Sequence, residues 1–227
     1  MSGHKPLRHL VRAFRAGRHG IVYGAPRRTR RREIALTFDD GPSQWTPAIL
    51  SLLDARGAKG TFFVLGSSVA GHEDVLRRAV AEGHELANHA YSHIDPAMLS
   101  DEALRIELER TSALLERIVG ARPRHFRPPY ADTDYRVADL AHAAGLPRTV
   151  LRSIDPADWD ELDPDLISRR VLERARPGAI VCLHDGIPPH EPKGTPTRQP
   201  TVDALGTIVP ELSRIGYDLV TVTELLA

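Results

Sequence analysis

Short apolar segments alternate along the chain with longer segments in which apolar residues recur every three or four positions. The short segments predict buried strands at residues 34–38, 61–65, 85–88, 125–127, 149–154, 179–183 and 219–222. The longer segments predict amphipathic helices at residues 46–57, 75–83, 100–120, 135–144, 164–175 and 201–215. Strands that alternate with helices predict a parallel sheet covered by helices, either open or closed into a barrel.

Length and composition favour one large α/β domain. The chain has 227 residues, of which 41% are hydrophobic, and this is enough for one sizeable core. It contains no run of about 18 apolar residues, so we expect no transmembrane segment. Residues 1–20 lack the apolar stretch of a signal peptide, and Cys182 is the only cysteine. We therefore expect a cytoplasmic protein, monomeric and without an internal disulfide.

The net charge of zero conceals a strongly basic N-terminal segment. Residues 1–32 contain ten of the 30 Lys and Arg residues and no acidic residue, which leaves 20 basic against 30 acidic residues in 33–227. We therefore divide the chain into a basic arm, 1–32, and a domain, 33–227. Apolar residues at helical spacing predict a short helix within the arm: Leu7, Leu10, Val11 and Phe14. Weak contact with an acidic membrane surface would suit this charge, but no nucleic-acid reader motif accompanies it.

Five polar clusters directly follow predicted strands, at 37–42, 88–93, 127–130, 155–159 and 184–186. Because the carboxyl ends of parallel strands form one face of an α/β fold, we expect the five clusters to converge.

The residue types in these clusters suit a metal-assisted hydrolysis. His89 and His93 are four residues apart, so on one helical turn both imidazoles face the same way. With one carboxylate they form a His₂Asp site that leaves positions for water and substrate, as hydrolytic zinc requires. Asp39 and Asp40 on an extended chain point apart, so one can bind the metal while the other takes a proton from water.

The segments TFDDGPS, NHAYSH, FRPPY, DPADW and IVCLHDG, in this order, resemble the five motifs of the NodB-type polysaccharide deacetylases, carbohydrate esterase family 4. The resemblance runs from about Ile34 to the C-terminus, and residues 177–217 are most similar to the cytoplasmic NodB chitooligosaccharide deacetylases. It implies a single-domain α/β fold, a distorted (β/α) barrel with fewer than eight regular strands. It also implies a hydrolase that removes the N-acetyl group from an N-acetylated amino sugar, such as a chitooligosaccharide, and releases acetate.

The resemblance implies catalytic roles for five residues. Asp39 corresponds to the catalytic base, and Arg127 to the arginine that holds this base in place. His184 corresponds to the general acid that protonates the departing amine. An aspartate of the DPADW motif, Asp155 or Asp158, would adjust the pKa of that histidine through its opposite charge.

The same resemblance implies the metal ligands and the substrate contacts. The ligands of one divalent ion would be Asp40, His89 and His93. We expect zinc, although such a site also accepts Co, Mn, Ni or Mg. The backbone N–H of Tyr130 would stabilise the oxyanion, and Trp159 and Leu183 would form apolar walls around the acetyl methyl group.

Three residues depart from the family pattern. Ala90 replaces a Ser or Thr whose hydroxyl commonly steadies the metal-binding loop. Ala131 replaces a glycine, which would cost ~1 kcal/mol if the position needs a positive φ. Arg152 stands where many members carry an aromatic residue, and its guanidinium predicts a substrate-binding contact that favours an anionic or phosphate-bearing substrate.

Other functions fit parts of the same pattern. The substrate could be a small acylated biosynthetic intermediate instead of a glycan. Ala90 and Ala131 also suit a catalytically weak carbohydrate-binding homologue. A His₂-carboxylate set suits Fe(II) oxygenases too, but these usually place the carboxylate two residues after the first histidine on a β-scaffold, unlike this chain.

Overall fold

The computed structural model describes residues 19–25, 31–131, 133–189 and 194–227. The strands of these residues are β1 (Ile21–Val22), β2 (Glu33–Asp39), β3 (Gly60–Val64), β4 (Glu85–Asn88), β5 (His125–Phe126), β6 (Arg148–Val150), β7 (Ile180–His184) and β8 (Asp218–Leu219). Their α-helices are α1 (Thr46–Asp54), α2 (Glu73–Ala81), α3 (Asp101–Val119), α4 (Tyr135–Ala143), α5 (Pro164–Leu172), α6 (Gln199–Arg214) and α7 (Val222–Leu225).

Within the described residues, seven strands form a curled parallel sheet in the order β1-β6-β5-β4-β3-β2-β7, and β8 pairs with β2 beside this path. Two isolated bridges, Gly24 with Ala179 and Ile154 with Val181, link the β1–β6 edge to β7. The sheet therefore closes only partly, and helices cover its outer face. This confirms the predicted distorted (β/α) barrel in a single domain.

Side chains of the central strands alternate between two buried layers. Leu36 and Phe38 of β2 belong to the main core, which lies under helices such as α1 and α6. Ala35 of the same strand packs on the other face, against Phe63 and Ile180. Because side chains alternate along a strand, the inner face of β2 continues from Ala35 through residues 37 and 39 toward the mouth of the barrel.

Two predicted strands end three or more residues earlier than expected. Strand β6 ends at Val150 rather than residue 154. The guanidinium of Arg127 donates hydrogen bonds to the backbone carbonyls of Val150 and Leu151 at this end. Strand β8 ends at Leu219 rather than residue 222, because Thr221 forms a capping box with Glu224 and starts α7. Competing side-chain hydrogen bonds end both strands early.

Part of the predicted basic arm lies in the sheet. Ile21 and Val22 pair with β6, and the N–H of Ala25 donates to the carbonyl of Gly178 at 2.9 Å. The boundary predicted at residue 32 therefore does not separate residues 21–25 from the fold. The rest of the arm, 1–18 with its predicted helix and 26–30, lies outside the described residues.

None of the helices in the described residues is long and apolar enough to cross a membrane.

Candidate active site

One carboxylate and two imidazoles meet at the carboxyl ends of β2 and β4. Oδ1 of Asp40 lies 3.3 Å from Nε2 of His89 and 3.3 Å from Nε2 of His93. All three side chains are buried, and Oδ1 of Asp40 has no hydrogen-bond partner among the described residues. A buried anionic oxygen without a donor, equidistant from two ring nitrogens, fits a divalent cation between the three groups. The structure thus brings the three predicted metal ligands together.

The neighbours of these groups fix their orientation. Nδ1 of His89 donates to the carbonyl of Arg127 at 2.7 Å, which leaves Nε2 to face Asp40. The ring of His93 packs edge-on against Tyr130, with 4.8 Å between the ring centroids. Burial would raise the pKa of Asp40, but the close approach of the His89 and His93 rings and the charges of His184 and His89 hold it far below its usual range. Asp40 and His93 also have left-handed backbones, with φ of 76° and 58°, a strained conformation that is common at functional sites.

Asp39 turns away from this cluster toward a buried arginine. Nη1 of Arg127 donates to Oδ1 of Asp39 at 2.7 Å and to the hydroxyl of Thr37 at 2.7 Å. Arg127 is only 1% exposed. Burial would raise the pKa of Asp39, but the charges of Arg127, His89 and His184 hold it below the usual value. Asp39 is therefore an ionised carboxylate, oriented differently from Asp40.

His184 ends β7 beside Asp39 of the neighbouring strand β2, and it contacts Asp158. Nδ1 of His184 lies 2.8 Å from Oδ1 of Asp158, whose Oδ2 accepts the backbone N–H of His184 at 2.8 Å. The hydroxyl of Thr201 also donates to Oδ2, at 2.8 Å. Burial would lower the pKa of the imidazole, but the contact with Asp158 and the charges of Asp40 and Asp39 raise it to about 9. His184 is therefore protonated at neutral pH.

Asp155, the other aspartate of the motif, has different partners. Its Oδ2 accepts from Nε of Arg152 at 2.6 Å, and its Oδ1 accepts from the backbone N–H of Ala157 at 2.8 Å. Of the two candidates, Asp158 is thus the one that contacts His184. The carboxylate of Asp155 also offsets the positive charge of Arg152. The expected preference for an anionic substrate depends on that charge.

A cavity of about 290 Å³ joins these groups and opens to solvent. Its walls include the predicted residues Asp39, Asp40, His89, His93, Tyr130, Arg152, Asp155, Trp159 and His184. Trp159 presents an apolar surface there and is 37% exposed. Tyr130 has a φ of 60°, and Ala131, which follows it, has a φ of 53°. Ala131 therefore has the positive φ for which a glycine would be better suited.

The second predicted apolar wall is at a different residue. Leu183 is fully buried in the main core with Ile154 and Val181, whereas Cys182 lines the cavity. The correction follows from the alternation of side chains along β7, which places Cys182 on the same face as His184. Sγ of Cys182 lies 3.4 Å from Oδ2 of Asp39. Burial raises the pKa of this thiol well above its usual value, so it stays protonated and serves as a small wall residue.

Residues outside the motifs hold the loop that carries the two histidines. Glu107 of α3 accepts the backbone N–H of Tyr91 at 2.9 Å, and the backbone N–H and hydroxyl of Ser92 at 2.8 and 2.9 Å. The carbonyl of Ala90 accepts the hydroxyl of Thr111 at 2.8 Å, so a hydroxyl from α3 steadies the loop where Ala90 supplies none. Sequence reasoning missed Glu107. The available signal was an acidic residue on the buried stripe of a helix, three residues after Leu104.

The loop after β2 is held in a similar way by Asp185. Its carboxylate accepts the N–H of Gly41 at 3.1 Å and the hydroxyl of Thr46 at 2.6 Å. Trp45 is the N-cap of α1, and the hydroxyl of Thr46 in the first turn donates to Asp185 instead of capping the helix. These contacts tie the Asp40 loop to the end of β7.

Comparison of the sequence with known proteins gives one consistent relationship. Residues 26–149 match the family model described as polysaccharide deacetylase. The chitooligosaccharide deacetylase of Bradyrhizobium sp. (strain ANU 289) is 41% identical over 197 residues, covering 83% of this chain and 88% of the relative. That of Rhizobium leguminosarum bv. trifolii is 44% identical over 196 residues, covering 83% of this chain and 89% of the relative.

Solved structures give the same relationship and add a contrast. The crystal structure of the Bc1960 peptidoglycan N-acetylglucosamine deacetylase, in complex with a substituted N-oxidanyl-benzamide, has a TM-score of 0.85 at 30% identity, covering 94% of this chain and 96% of that one. A Bacillus anthracis protein described as a CE4 family pseudoenzyme has a TM-score of 0.80 at 27% identity, covering 91% and 69%. Since the fold is shared by a deacetylase and a pseudoenzyme, the site residues decide whether a chain is active.

Proposed function

The chain belongs to the polysaccharide deacetylase family, carbohydrate esterase family 4, and from this we propose that it hydrolyses the N-acetyl group of an N-acetylated amino sugar and releases acetate. The observation that carries the proposal is the meeting of three units in one cavity: a His₂Asp cluster, Asp39 held by Arg127, and His184 held by Asp158. These supply a metal site, a base and an acid, the three parts that amide hydrolysis at neutral pH needs. Their presence argues against a catalytically weak homologue.

We propose a chitooligosaccharide as the substrate. The two rhizobial relatives named for this activity are 41% and 44% identical to the chain and are covered over 88% and 89% of their length. A Bacillus cereus relative named peptidoglycan-N-acetylglucosamine deacetylase is 34% identical and is covered over 68%. Both names describe N-acetylated sugar glycans, which favours a glycan over a small acylated intermediate. The cytoplasmic location and the monomeric state stay predictions.

Asp40, His89 and His93 would hold the metal, and we propose zinc because two imidazoles and one carboxylate with open positions are typical of hydrolytic zinc sites. Such an ion supplies Lewis-acid polarisation of the acetyl carbonyl and acidifies a water. Nδ1 of His89 is occupied by the Arg127 carbonyl, so Nε2 is the atom available for the metal.

Asp39 acts as the base and removes a proton from the attacking water. Arg127 holds Oδ1 of Asp39 and leaves Oδ2 to face the cavity beside Cys182. The backbone N–H of Tyr130, on the cavity wall, donates to the oxyanion as the tetrahedral state forms. His184 then gives its proton to the amine nitrogen, and Asp158 stabilises the charged imidazole until that transfer.

An acetate-release assay with chitooligosaccharides and added Zn²⁺ tests the proposal. The wild-type protein should release acetate and lose this activity in the presence of a chelator. Asp39→Asn should lower kcat by about 10²- to 10⁴-fold, the usual contribution of a general base, while Zn²⁺ binding measured by calorimetry persists. The control Asp74→Asn changes a fully exposed aspartate on α2 and should leave the rate unchanged. A normal rate in Asp39→Asn would refute the role of the base, and no acetate from any acetylated glycan would refute the function.

A further inference from the structure

A second group of metal-ligand side chains lies in the catalytic cavity, beside the His₂Asp cluster. Asp39, Cys182 and His184 each offer one ligand atom, and these atoms all lie within 4.8 Å of one another. The three residues line the same cavity. Carboxylate, thiolate and imidazole are the ligand types that protein zinc sites use. Because the group shares no residue with the His₂Asp cluster, one ion can occupy each.

The sheet fixes the relative positions of these three residues. Asp39 at the end of β2 is the register partner of His184 at the end of β7. Cys182 lies two residues before His184, so its side chain points to the same face of β7. Side chains on paired strands are held more precisely than side chains on loops, and the ligand atoms therefore need little reorganisation to receive an ion.

Neighbouring hydrogen bonds leave one atom of each residue available. Nη1 of Arg127 donates to Oδ1 of Asp39, and Oδ2 faces the thiol. Asp158 holds Nδ1 of His184, which leaves Nε2 as the ring nitrogen for an ion. The distance from Sγ of Cys182 to Oδ2 of Asp39 is 3.4 Å. Zn–S and Zn–O bonds of about 2.3 and 2.0 Å at a tetrahedral angle place the two ligand atoms about 3.5 Å apart, which matches this spacing.

We propose that excess Zn²⁺ binds to Asp39, Cys182 and His184 as a second, inhibitory ion. The S–H bond of the thiol breaks as the Zn–S bond forms. The thiol proton and the proton on Nε2 of His184 pass to solvent, and no electron is transferred.

The surroundings make this second site the weaker of the two. Nη1 of Arg127 lies 3.8 Å from Sγ of Cys182, so its charge repels a cation there. Once the thiol is ionised, its charge and that of Asp39 outnumber the single charge of Arg127, and the site attracts a cation. Displacing the proton of a buried thiol costs affinity. The second ion should therefore bind only after the His₂Asp cluster is filled.

The inhibition rests on the proposed function, because the ion takes both groups assigned to proton transfer. It occupies Oδ2 of Asp39, the atom that would accept the proton of the attacking water. It also replaces the proton that His184 would give to the amine. Thiolate ligands favour zinc and other soft cations, whereas Mg²⁺ and Mn²⁺ prefer oxygen ligands. Excess Zn²⁺ should therefore inhibit, and excess Mg²⁺ or Mn²⁺ should not.

Binding is tested by absorption spectroscopy without any substrate. Cys182 is the only cysteine of the chain, so a thiolate-to-metal absorption band reports on this residue alone. Protein loaded with one equivalent of Zn²⁺ is titrated with Cd²⁺, whose bonds to thiolate absorb in the ultraviolet, and the band should appear and saturate. His184→Gln removes one ligand and should weaken this binding at least tenfold, the lower end of the roughly 10- to 100-fold cost of losing even a supporting residue. His142→Ala removes an exposed histidine on α4 and should leave the titration unchanged.

Inhibition is tested by acetate release at rising Zn²⁺, with each variant compared with its own rate at one equivalent. The wild-type rate should fall as the second ion binds. Cys182→Ser and Cys182→Ala should need at least about tenfold more Zn²⁺ for the same fractional loss. Cys182→Ser nearly keeps the size of the side chain, and thermal unfolding of both variants checks that the fold is retained.

The outcomes separate the second ion from the proposed function. No Cd²⁺ band in the folded wild type, or a band that His184→Gln forms with full affinity, overturns the site. If the band forms but excess Zn²⁺ inhibits the wild type and Cys182→Ser equally, the ion at Cys182 is not inhibitory. If no acetylated sugar releases acetate at any Zn²⁺ concentration, the proposed function is wrong, and the Cd²⁺ titration still decides whether the second ion binds.

Discussion

Asp158 contacts His184 at two points: one carboxylate oxygen lies 2.8 Å from Nδ1 of the ring, and the other accepts the backbone N–H of the same residue at 2.8 Å. The two contacts fix the position of His184 and favour its charged form. Thr201 holds the same carboxylate from α6. The protonation of the acid is thus set by a carboxylate that is itself buried and oriented.

The first prediction concerns the pH dependence of activity. Asp158 raises the pKa of His184 to about 9. A general acid must carry its proton, so activity should persist below this pKa and be lost as the pH rises through it. Asp158→Asn removes the opposite charge, and the alkaline limb of the kcat profile should move to lower pH by about one to three pH units.

Asp155→Asn is the control for this prediction, because Asp155 pairs with Arg152 and does not contact His184. Because Asp155 lines the cavity, this variant can change KM. The alkaline limb of its kcat profile should coincide with that of the wild type. If the alkaline limb of the kcat profile lies at the same pH in Asp158→Asn and in the wild type, Asp158 does not set the pKa of His184.

The sequence predicted which polar residues meet at this site, because they follow strands whose carboxyl ends share one face. The spacing of four between His89 and His93, and the pairing of Asp39 with Asp40, suited metal-binding and proton-transfer roles, and these roles stay predictions. The choice between Asp155 and Asp158 was different. Both belong to a loop without periodicity, so no pattern could tell which carboxylate turns toward His184.

Other features depend on register or on packing between distant segments. The prediction that Leu183 lines the cavity was wrong by one residue, because Cys182 lines it. A shift of one residue along a strand moves a side chain to the opposite face of the sheet. Strand β1 was missed because a two-residue pairing, Ile21–Val22, is too short to give a period. Glu107 reaches the histidine loop only because α3 packs against it, a contact 15 residues away in sequence.

The second prediction concerns metal binding and stability. A metal that binds only the folded state raises the free energy of unfolding by about 2.7 kcal/mol at 100 times its Kd. Zn²⁺ should therefore raise the Tm of the wild type, measured by scanning calorimetry. Asp40→Asn should abolish most of this rise, because Asp40 provides the one anionic ligand of the cluster. His142→Ala, an exposed histidine on α4, should keep the full rise. An equal rise in Asp40→Asn would place the metal elsewhere.

The third prediction concerns Glu107, which holds the loop between the two histidines through three hydrogen bonds. Glu107→Gln removes the charge that strengthens these bonds, and the loop should hold His93 less firmly. Loss of a residue that supports metal ligands typically costs about 10- to 100-fold in affinity. We expect that loss in Zn²⁺ affinity, measured by competition with a chromogenic chelator.

Glu109→Gln is the matched control, two residues along the same helix. Glu109 is exposed and pairs with Arg122 at 2.6 Å, so its charge does not reach the histidine loop. Its Zn²⁺ affinity should equal that of the wild type. If Glu107→Gln binds Zn²⁺ as tightly as Glu109→Gln does, the support from α3 is not needed.

The last prediction concerns the strained loop after β5. Tyr130 and Ala131 both have left-handed backbones, with φ of 60° and 53°. A left-handed conformation costs an L-residue with a Cβ roughly 1–2 kcal/mol, whereas glycine adopts it freely. Glycine also gives the unfolded chain more freedom, which offsets about 0.4–1 kcal/mol. Ala131→Gly should therefore raise the free energy of unfolding by about 0.5–1 kcal/mol in urea titrations with an unchanged slope. Ala113→Gly, at an exposed position in the interior of α3, should instead lower it by about 0.5–1 kcal/mol. The opposite signs are the decisive result, because two glycine variants that both lose stability would mean that Ala131 is not strained in solution.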